Sequence, residues 1–476
     1  MSTELRNFLA IPYDELEEIN LSAKKQRLDR VAPHKIQEER LKYLTDESRI
    51  KAVTVLFSDL EGRLHMLDYD KKFLLKSHDN LTFDGSSIRG FTAQRESDLR
   101  LGIDWGAFYW GPADVFGPGK VLVFGEVIDK NGEPYNADIR SMLKLFGNQL
   151  HKKHGYTLNA ANEIEGFLFQ GPEAERRYHE TGKFEYVNTG GYYHSLPGDP
   201  LRTFIDTTAE VQRAMGFQNE KDHPEVAPSQ FEINYSYAEV VAAADHIQLY
   251  KLICRQVARN MGLTASFLPK PVVGVNGSGM HTNVSVSQNG KNLFWDPKGE
   301  EKLSKLGYEF LDRLLTHGND LCLVFNSSVN AYRRLDPHFE APNQLKASAV
   351  DRGAMIRIPI GNERSMRTEV RAVAPDANPY LVMHSIFKTG LEGETAKIKN
   401  LRSAERYLPD NIYTAIDNFR KADWTTKLLG EDVKGRYADL KQASADRCPR
   451  LLGTIVKAAE VQFHHEVYNQ YLWNQF

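Results

Sequence analysis

Leu158-Asn-Ala-Ala-Asn-Glu163-Ile-Glu165-Gly-Phe-Leu-Phe169 is the stretch on which the fold turns. It reads as a buried strand, and in a strand residues i and i+2 face the same way. Glu163 and Glu165 therefore stand side by side. Two carboxylates so placed repel each other and lose hydration. A divalent cation is the usual remedy, and oxygen-rich sites suit Mg2+ or Mn2+. An exposed strand edge is the competing explanation for a pair of this kind standing alone.

Three further clusters lie downstream. In His223-Pro-Glu225-Val-Ala-Pro-Ser-Gln-Phe-Glu232, Glu225 precedes a proline-containing turn and Glu232 lies on an alternating strand. In Asn276-Gly-Ser-Gly-Met-His281, a glycine-rich turn permits close backbone approach, and His281 opens a strand over 282–287. Arg367-Thr-Glu369-Val-Arg371 puts three charged side chains on one strand face. Each piece alone fits a structural histidine or a surface ion pair. Together they put five glutamates and one histidine on strands. Arg334, Arg352, Arg357, Arg367 and Arg371 crowd the same region. Guanidinium forks match carboxylates and phosphates, so the set describes phosphoryl transfer to an acidic substrate. No G-x-x-x-x-G-K-[ST] loop is present, and Gly277-Ser-Gly279 is too short for a dinucleotide fingerprint.

Upstream, residues 51–57, a turn at 59–62 and residues 63–66 form a hairpin signal, and 121–127 is a further strand. Short strands dominate before Tyr135; long helices alternate with strands after it. Helices are expected over 138–153, ending at Gly155, over 238–261, and after the Asn378-Pro379 opening. The leader reads as charged helix with a solvated face, Pro33 opening one segment and Thr45-Asp46 closing it. The last stretch reads as helical, its aromatics Tyr468, Tyr471, Trp473 and Phe476 docked as core or against a neighbouring subunit. Repeats and low-complexity tracts are absent.

The 476 residues are 41% hydrophobic and 26% charged, as ordinary globular chains are. A net charge of -3 supplies no bulk basic field for nucleic acid. Apolar runs such as 121–124 fall short of the ~20 residues of a membrane helix, and the N-terminus lacks a secretory pattern. Three dispersed cysteines (Cys254, Cys322, Cys448) fit reduced thiols and a cytoplasmic setting.

With these motifs assembled, the chain resembles the class I, prokaryotic-type glutamine synthetases. Phe83-Asp-Gly-Ser-Ser-Ile-Arg-Gly90 followed by Glu96-Ser-Asp98 is similar to the family's latch loop. Asn162-Glu-Ile-Glu165, 223–232 and 276–281 are similar to its metal motifs. Glu340-Ala-Pro342, Ile356-Arg-Ile-Pro359 and Pro375-Asp-Ala-Asn-Pro-Tyr380 complete the series. The resemblance implies an α+β fold: a small N-terminal β-grasp domain, then a large catalytic α/β domain built on an antiparallel sheet. It divides the chain into a helical leader (1–49), the β-grasp domain (50–135) and the catalytic domain (136–476). It also implies a homo-oligomer, a dodecamer of two hexameric rings with active sites between subunits.

The implied activity is ligation of ammonium to the γ-carboxylate of L-glutamate, driven by ATP through a γ-glutamyl phosphate. Two or more Mg2+ or Mn2+ ions per site are implied. Glu165, Glu225 and Glu232 would hold one, and Glu163, His281 and Glu369 another. Glutamate would meet Asn276, Gly277, Arg334, Glu340 and Arg371. ATP would meet Glu220, Asn283, Ser285, Arg352, Arg357 and Arg367. Ammonium would sit among Asp84, Tyr192, Glu225 and Glu340. Catalysis would rest on Asp84 as the proton acceptor, on Glu340 as part of the closing loop, and on Arg352 facing the phosphates. No nucleic-acid or membrane partner is implied.

Several positions depart from the family pattern. Asn283 stands where a second histidine is usual, Pro224 follows His223 in place of another, and 361–366 lacks a customary lysine. The leader is long, and Tyr407 only loosely matches a position that some members adenylylate. Two alternatives follow: a γ-glutamyl ligase for a larger amine, and a catalytically silent homologue. Asp84, Tyr192 and Glu340 favour ammonium over the first, and the intact ligand set argues against the second.

Overall fold

The computed structural model describes residues 10–92, 98–194, 196–336, 339 and 341–455. Glu96, Ser97, Glu340 and the C-terminal aromatics therefore lie outside the described residues.

The expected hairpin is present. β1 (Ala52–Ser58) pairs antiparallel with β2 (Leu64–Asp70), from Ala52 opposite Asp70 to Ser58 opposite Leu64. β3 (Leu81–Asp84), β4 (Asp98–Tyr109) and β5 (Lys120–Ile128) complete a five-stranded sheet in the order β2-β1-β5-β4-β3. Only β1 and β5 run parallel. The leader helices Tyr13–Leu28 and Pro33–Asp46 bury Leu16, Ala23, Ile36 and Leu44 in this domain's core and leave their charged faces in solvent. The leader also ties the domains together. Buried Asn20 donates to Trp110 O and Ala214 O, one on either side of the boundary.

The second sheet is organised around β6 (Tyr156–Gln170), a strand of 15 residues. The sheet's other strands are β7 (Asn219–Pro224), β8 (Gln230–Tyr235), β9 (Ala238–Glu239), β10 (Leu263–Ser266), β11 (Met280–Gln288), β12 (Lys291–Asn292), β13 (Gln344–Ser348), β14 (Ala354–Arg357) and β15 (Thr368–Val370). The main path is β13-β14-β15-β11-β6-β8-β7. Pairing is antiparallel except between β13 and β14, so one edge departs from the purely antiparallel expectation. The face opposite the site packs on the helices Ile139–His154 and Val240–Asn260, and Pro379–Glu392 packs against those two; all three are expected from apolar faces and terminal signals. Asp138 caps the first, Gly155 ends it in the left-handed conformation, and Asn378 caps the third.

The hairpin tip docks on this second domain. Gly62 has φ +90, and a Cβ there would lie 2.6 Å from Asn378 Cα, so only glycine fits. Gln248 donates to Gly62 O at 2.8 Å, and Asn378 donates to Leu60 O at 3.1 Å.

Candidate active site

The period of two along β6 builds the site. Leu158, Ala160, Asn162 and Ile164 are buried toward the core, whereas Asn159, Ala161, Glu163 and Glu165 lie half-buried on the opposite face. Register then aligns distant residues on that face. His281 lies opposite Glu163, Glu369 opposite both Asn283 and Arg357, and Glu232 opposite both Glu165 and His223.

One cluster consists of Glu163, His281 and Glu369, whose ligand-type atoms all lie within 4.8 Å of one another. His281 Nδ1 is 3.7 Å from Glu163 and 3.6 Å from Glu369. Glu369 accepts from Arg371 at 2.6 Å and from Arg357 at 3.2 Å. Asn283 donates to Glu163 at 3.1 Å and accepts from Arg367 Nε at 2.8 Å. Burial pushes the Glu163 carboxyl up, but His281, Asn283 and Lys221 hold it well below the usual range.

A second cluster joins His223, Glu225 and Glu232 within the same 4.8 Å limit. His223 lies 3.5 Å from each glutamate. Glu225 falls one residue past β7, not on a strand as expected, because the chain turns there toward Pro228. Glu165 stands between the clusters. It accepts from Gly279 N at 2.8 Å and from Gln230 Nε2 at 3.3 Å, and His281 Nε2 is 4.0 Å away. Burial, then the charges of Glu165 and Glu232, push Glu225 up to about 8. Acids this crowded prefer a proton or a cation. Carboxylate oxygens with an imidazole nitrogen form a donor set that fits a hard divalent ion.

Arg334 ends the helix Val329–Arg334 and is buried, donating to Arg371 O at 3.0 Å and Ala372 O at 3.3 Å. The glycine turn wraps this side chain. A Cβ on Gly279 would lie 2.6 Å from Arg334 Nη2, and one on Gly277 would lie 2.5 Å from Pro269 O. Asn276 is half-buried on the same turn.

A cavity of about 840 Å3 opens beside Glu163. Glu220, Asn283, Ser285 and Arg367, all named from sequence for the nucleotide, line it with Glu163. Arg352 is exposed on the β13–β14 turn, and neither it nor Arg357 lines this cavity. Tyr192 lies outside it, its ring edge-on to His223 at 5.5 Å and its hydroxyl 2.7 Å from that of Tyr193. Asp84 is exposed at the end of β3, where it accepts from Ser86 N, Ser86 Oγ and Ser87 Oγ. Those bonds hold its pKa below the usual value.

Sequence reading gave His223 no ligand role, although it opens the second motif two residues before Glu225. It also missed Gln230, which braces Glu165, Gly277 O and Ser278 Oγ. Arg364 and Tyr237 line the cavity as well, and Arg364 supplies a cation in the segment that had drawn notice for lacking lysine.

A small five-stranded domain ahead of a large sheet bearing acid and histidine clusters defines a two-domain enzyme. The catalytic-domain family of glutamine synthetase matches residues 136–454, and its β-grasp domain family matches 49–130. The chain belongs to the glutamine synthetase family. It is 35% identical over 424 residues to a glutamine synthetase of Clostridium saccharobutylicum, covering 85% of this chain and 94% of that one. A Methanosarcina mazei glutamine synthetase is 35% identical over 424 residues (84% and 92%). One from Staphylococcus aureus strain Mu50 is 34% identical over 434 (86% and 94%). A solved structure described as "GmaS/ADP complex-Conformation 1" shares the fold. Its TM-score is 0.75 at 24% identity, over 86% of this chain and 96% of that one.

Proposed function

We propose that this chain synthesises L-glutamine, joining ammonium to the γ-carboxylate of L-glutamate and converting ATP to ADP and phosphate. The observation that carries this reading is the shared face. Glu163, Glu165, Glu232, His281 and Glu369 lie on neighbouring antiparallel strands, beside a cavity large enough for a nucleotide.

In this reading Glu163, His281 and Glu369 hold one Mg2+ or Mn2+. Glu165, Glu225 and Glu232 hold another, with His223 beside the last two. Bound there, such ions offset the charge of the transferring phosphoryl group. Arg334 and Arg371 grip the glutamate carboxylates, with Asn276 and Gly277 at its amino end. Glu220, Asn283, Ser285 and Arg367 position the nucleotide, and Arg352 and Arg357 reach its phosphates. The γ-carboxylate attacks the γ-phosphate of ATP, because a free carboxylate is a poor acyl donor and its phosphoryl ester a good one. Ammonium, held by Asp84, Tyr192, Glu225 and Glu340, loses a proton to Asp84 and displaces phosphate. Excluding water protects the acyl phosphate.

The Asp84 carboxylate bonds only to its own turn among the described residues. That supports delivery of the β-grasp domain to a neighbouring subunit, in a dodecamer of two hexameric rings. The reading keeps the divisions at 49/50 and 135/136. Free, buried Cys254 and Cys322 support a cytoplasmic setting. No helix among the described residues is long and apolar enough to cross a membrane.

The test is ATP- and glutamate-dependent phosphate release with ammonium and with a panel of amines. Ammonium should give the highest kcat/KM. Preference for a larger amine overturns the assignment, and light scattering that finds only monomers overturns the assembly.

A further inference from the structure

We propose that Lys221 is a positioning residue for the phosphate chain of the bound nucleotide, set on the cavity face by the β7–β8 register. The proposal rests on the nucleotide reading of that cavity.

The bulge follows from the register. His223 lies opposite Glu232, Asp222 opposite Ile233 and Lys221 opposite Asn234, but Tyr235 is met by Asn219. Glu220 is thus an extra residue in β7. In a regular strand, neighbouring side chains point to opposite faces. A bulge lifts that constraint, and here it turns Glu220 toward the face on which the register already sets Lys221. Glu220 and Lys221 consequently both line the cavity.

Lys221 stands two residues before His223, on the strand face that carries Glu232 and Asn234. Its charge contributes to holding down the Glu163 carboxyl. It is exposed, with no ion pair or hydrogen bond of its side chain among the described residues. The arginines around Glu163 and Glu369 are already engaged, whereas Arg364 and Lys291 also line the cavity but from segments off β7. Arg357 and Arg371 pair with Glu369, and Arg367 Nε donates to Asn283. Asn283 is neutral, and both ends of its amide are used. Lys221 therefore brings three unspent donors and a full charge to the wall that carries Glu163. An ammonium group serves a phosphate as a mobile point charge, which suits a polyphosphate better than a planar carboxylate.

The test is equilibrium binding of AMP, ADP and a non-hydrolysable ATP analogue to the full-length protein with Mg2+, by calorimetry. Lys221→Ala should weaken the ATP analogue and ADP about threefold to fivefold, the effect of losing one exposed charge pair, and leave AMP unchanged. Lys221→Arg should restore most of the loss. In turnover, the Lys221→Ala variant should raise the KM for ATP and leave the KM for glutamate unchanged. An ATP-analogue affinity within about twofold of the native protein, the ordinary effect of a surface substitution, overturns the proposal. An equal loss for AMP also overturns it, because Lys221 would then act through cavity shape. If the native protein binds none of the three, the nucleotide reading itself falls.

Discussion

Where the two domains meet, Arg140 and Lys144 face Asp104, Glu126 and Asp245; in the site, Glu165, Glu225 and Glu232 face one another. Arg140 is buried and forks onto Asp245 at 2.7 and 2.8 Å, with Asp104 at 2.9 Å. Lys144 bonds Asp104 and Glu126, and the Tyr380 hydroxyl donates to Asp245 at 2.7 Å. Burial pushes Asp104 up, yet Arg140 and Lys144 hold it far below the usual range. Burial also raises Asp245, and the Arg140 fork and the Tyr380 hydroxyl oppose that rise. By contrast, none of Glu165, Glu225 and Glu232 has an arginine or lysine at ion-pair distance among the described residues, and Glu225 is pushed up to about 8. A fold that can neutralise acids internally does so where its domains join. Here it crowds them beside imidazoles instead, an arrangement that could hold a cation and that differs from a structural ion-pair network.

The largest expected effect is at Glu369. Glu369→Gln keeps the shape but removes the charge facing His281, and it should abolish measurable turnover while lowering the melting temperature less than an Arg140 variant does, because the amide oxygen can still accept from Arg371 or Arg357. A fall in melting temperature as large as that of an Arg140 variant would erase the contrast between the two clusters. Next comes Asp84, which belongs to neither. Asparagine can still cap the turn at Ser86 but cannot take a proton, so Asp84→Asn should cut ammonium-dependent turnover by about 10²–10⁴. Hydroxylamine is largely neutral at pH 7, and in the same assay it should lose much less. Equal losses with both nucleophiles would leave Asp84 as the cap alone.

Arg140→Met should act on stability, costing about 3–5 kcal/mol by leaving Asp245 without a cation and Asp104 with Lys144 alone, as read by urea denaturation. A cost below ~1 kcal/mol would mean that water already screens this network. The smallest effect is a pH dependence. With divalent ions chelated, Glu225 keeps its proton in the folded state up to about 8, whereas the unfolded chain releases it in the ordinary carboxylate range. The folded state binds more protons across that window, so its stability falls as pH rises through it. Adding Mg2+ or Mn2+ should remove the slope, and Glu225→Gln should flatten it without metal. A slope unchanged by either assigns it elsewhere.

Much of this was legible because it is local. The alternation of Glu163 and Glu165, the Asn378-Pro379 cap and the Gly155 stop are set by residues within a turn or a strand of one another. Periodicity and capping act at that range. The ordered motifs carried the family. What the sequence left open depended on pairing between remote segments. His281 meets Glu163 across 118 positions of chain only through the β6–β11 register. His223 joins Glu225 and Glu232 because β7 turns back onto β8, and Glu220 and Lys221 share the cavity because one residue is bulged. Gly62 looked like an ordinary turn glycine until Asn378, more than 300 residues away, closed against it. The amino-acid sequence by itself determined which side chains each strand presents and on which face. Only the tertiary structure decided which of those faces meet, because register is chosen by burying two apolar surfaces together, and a slip of one residue would turn every carboxylate into the core.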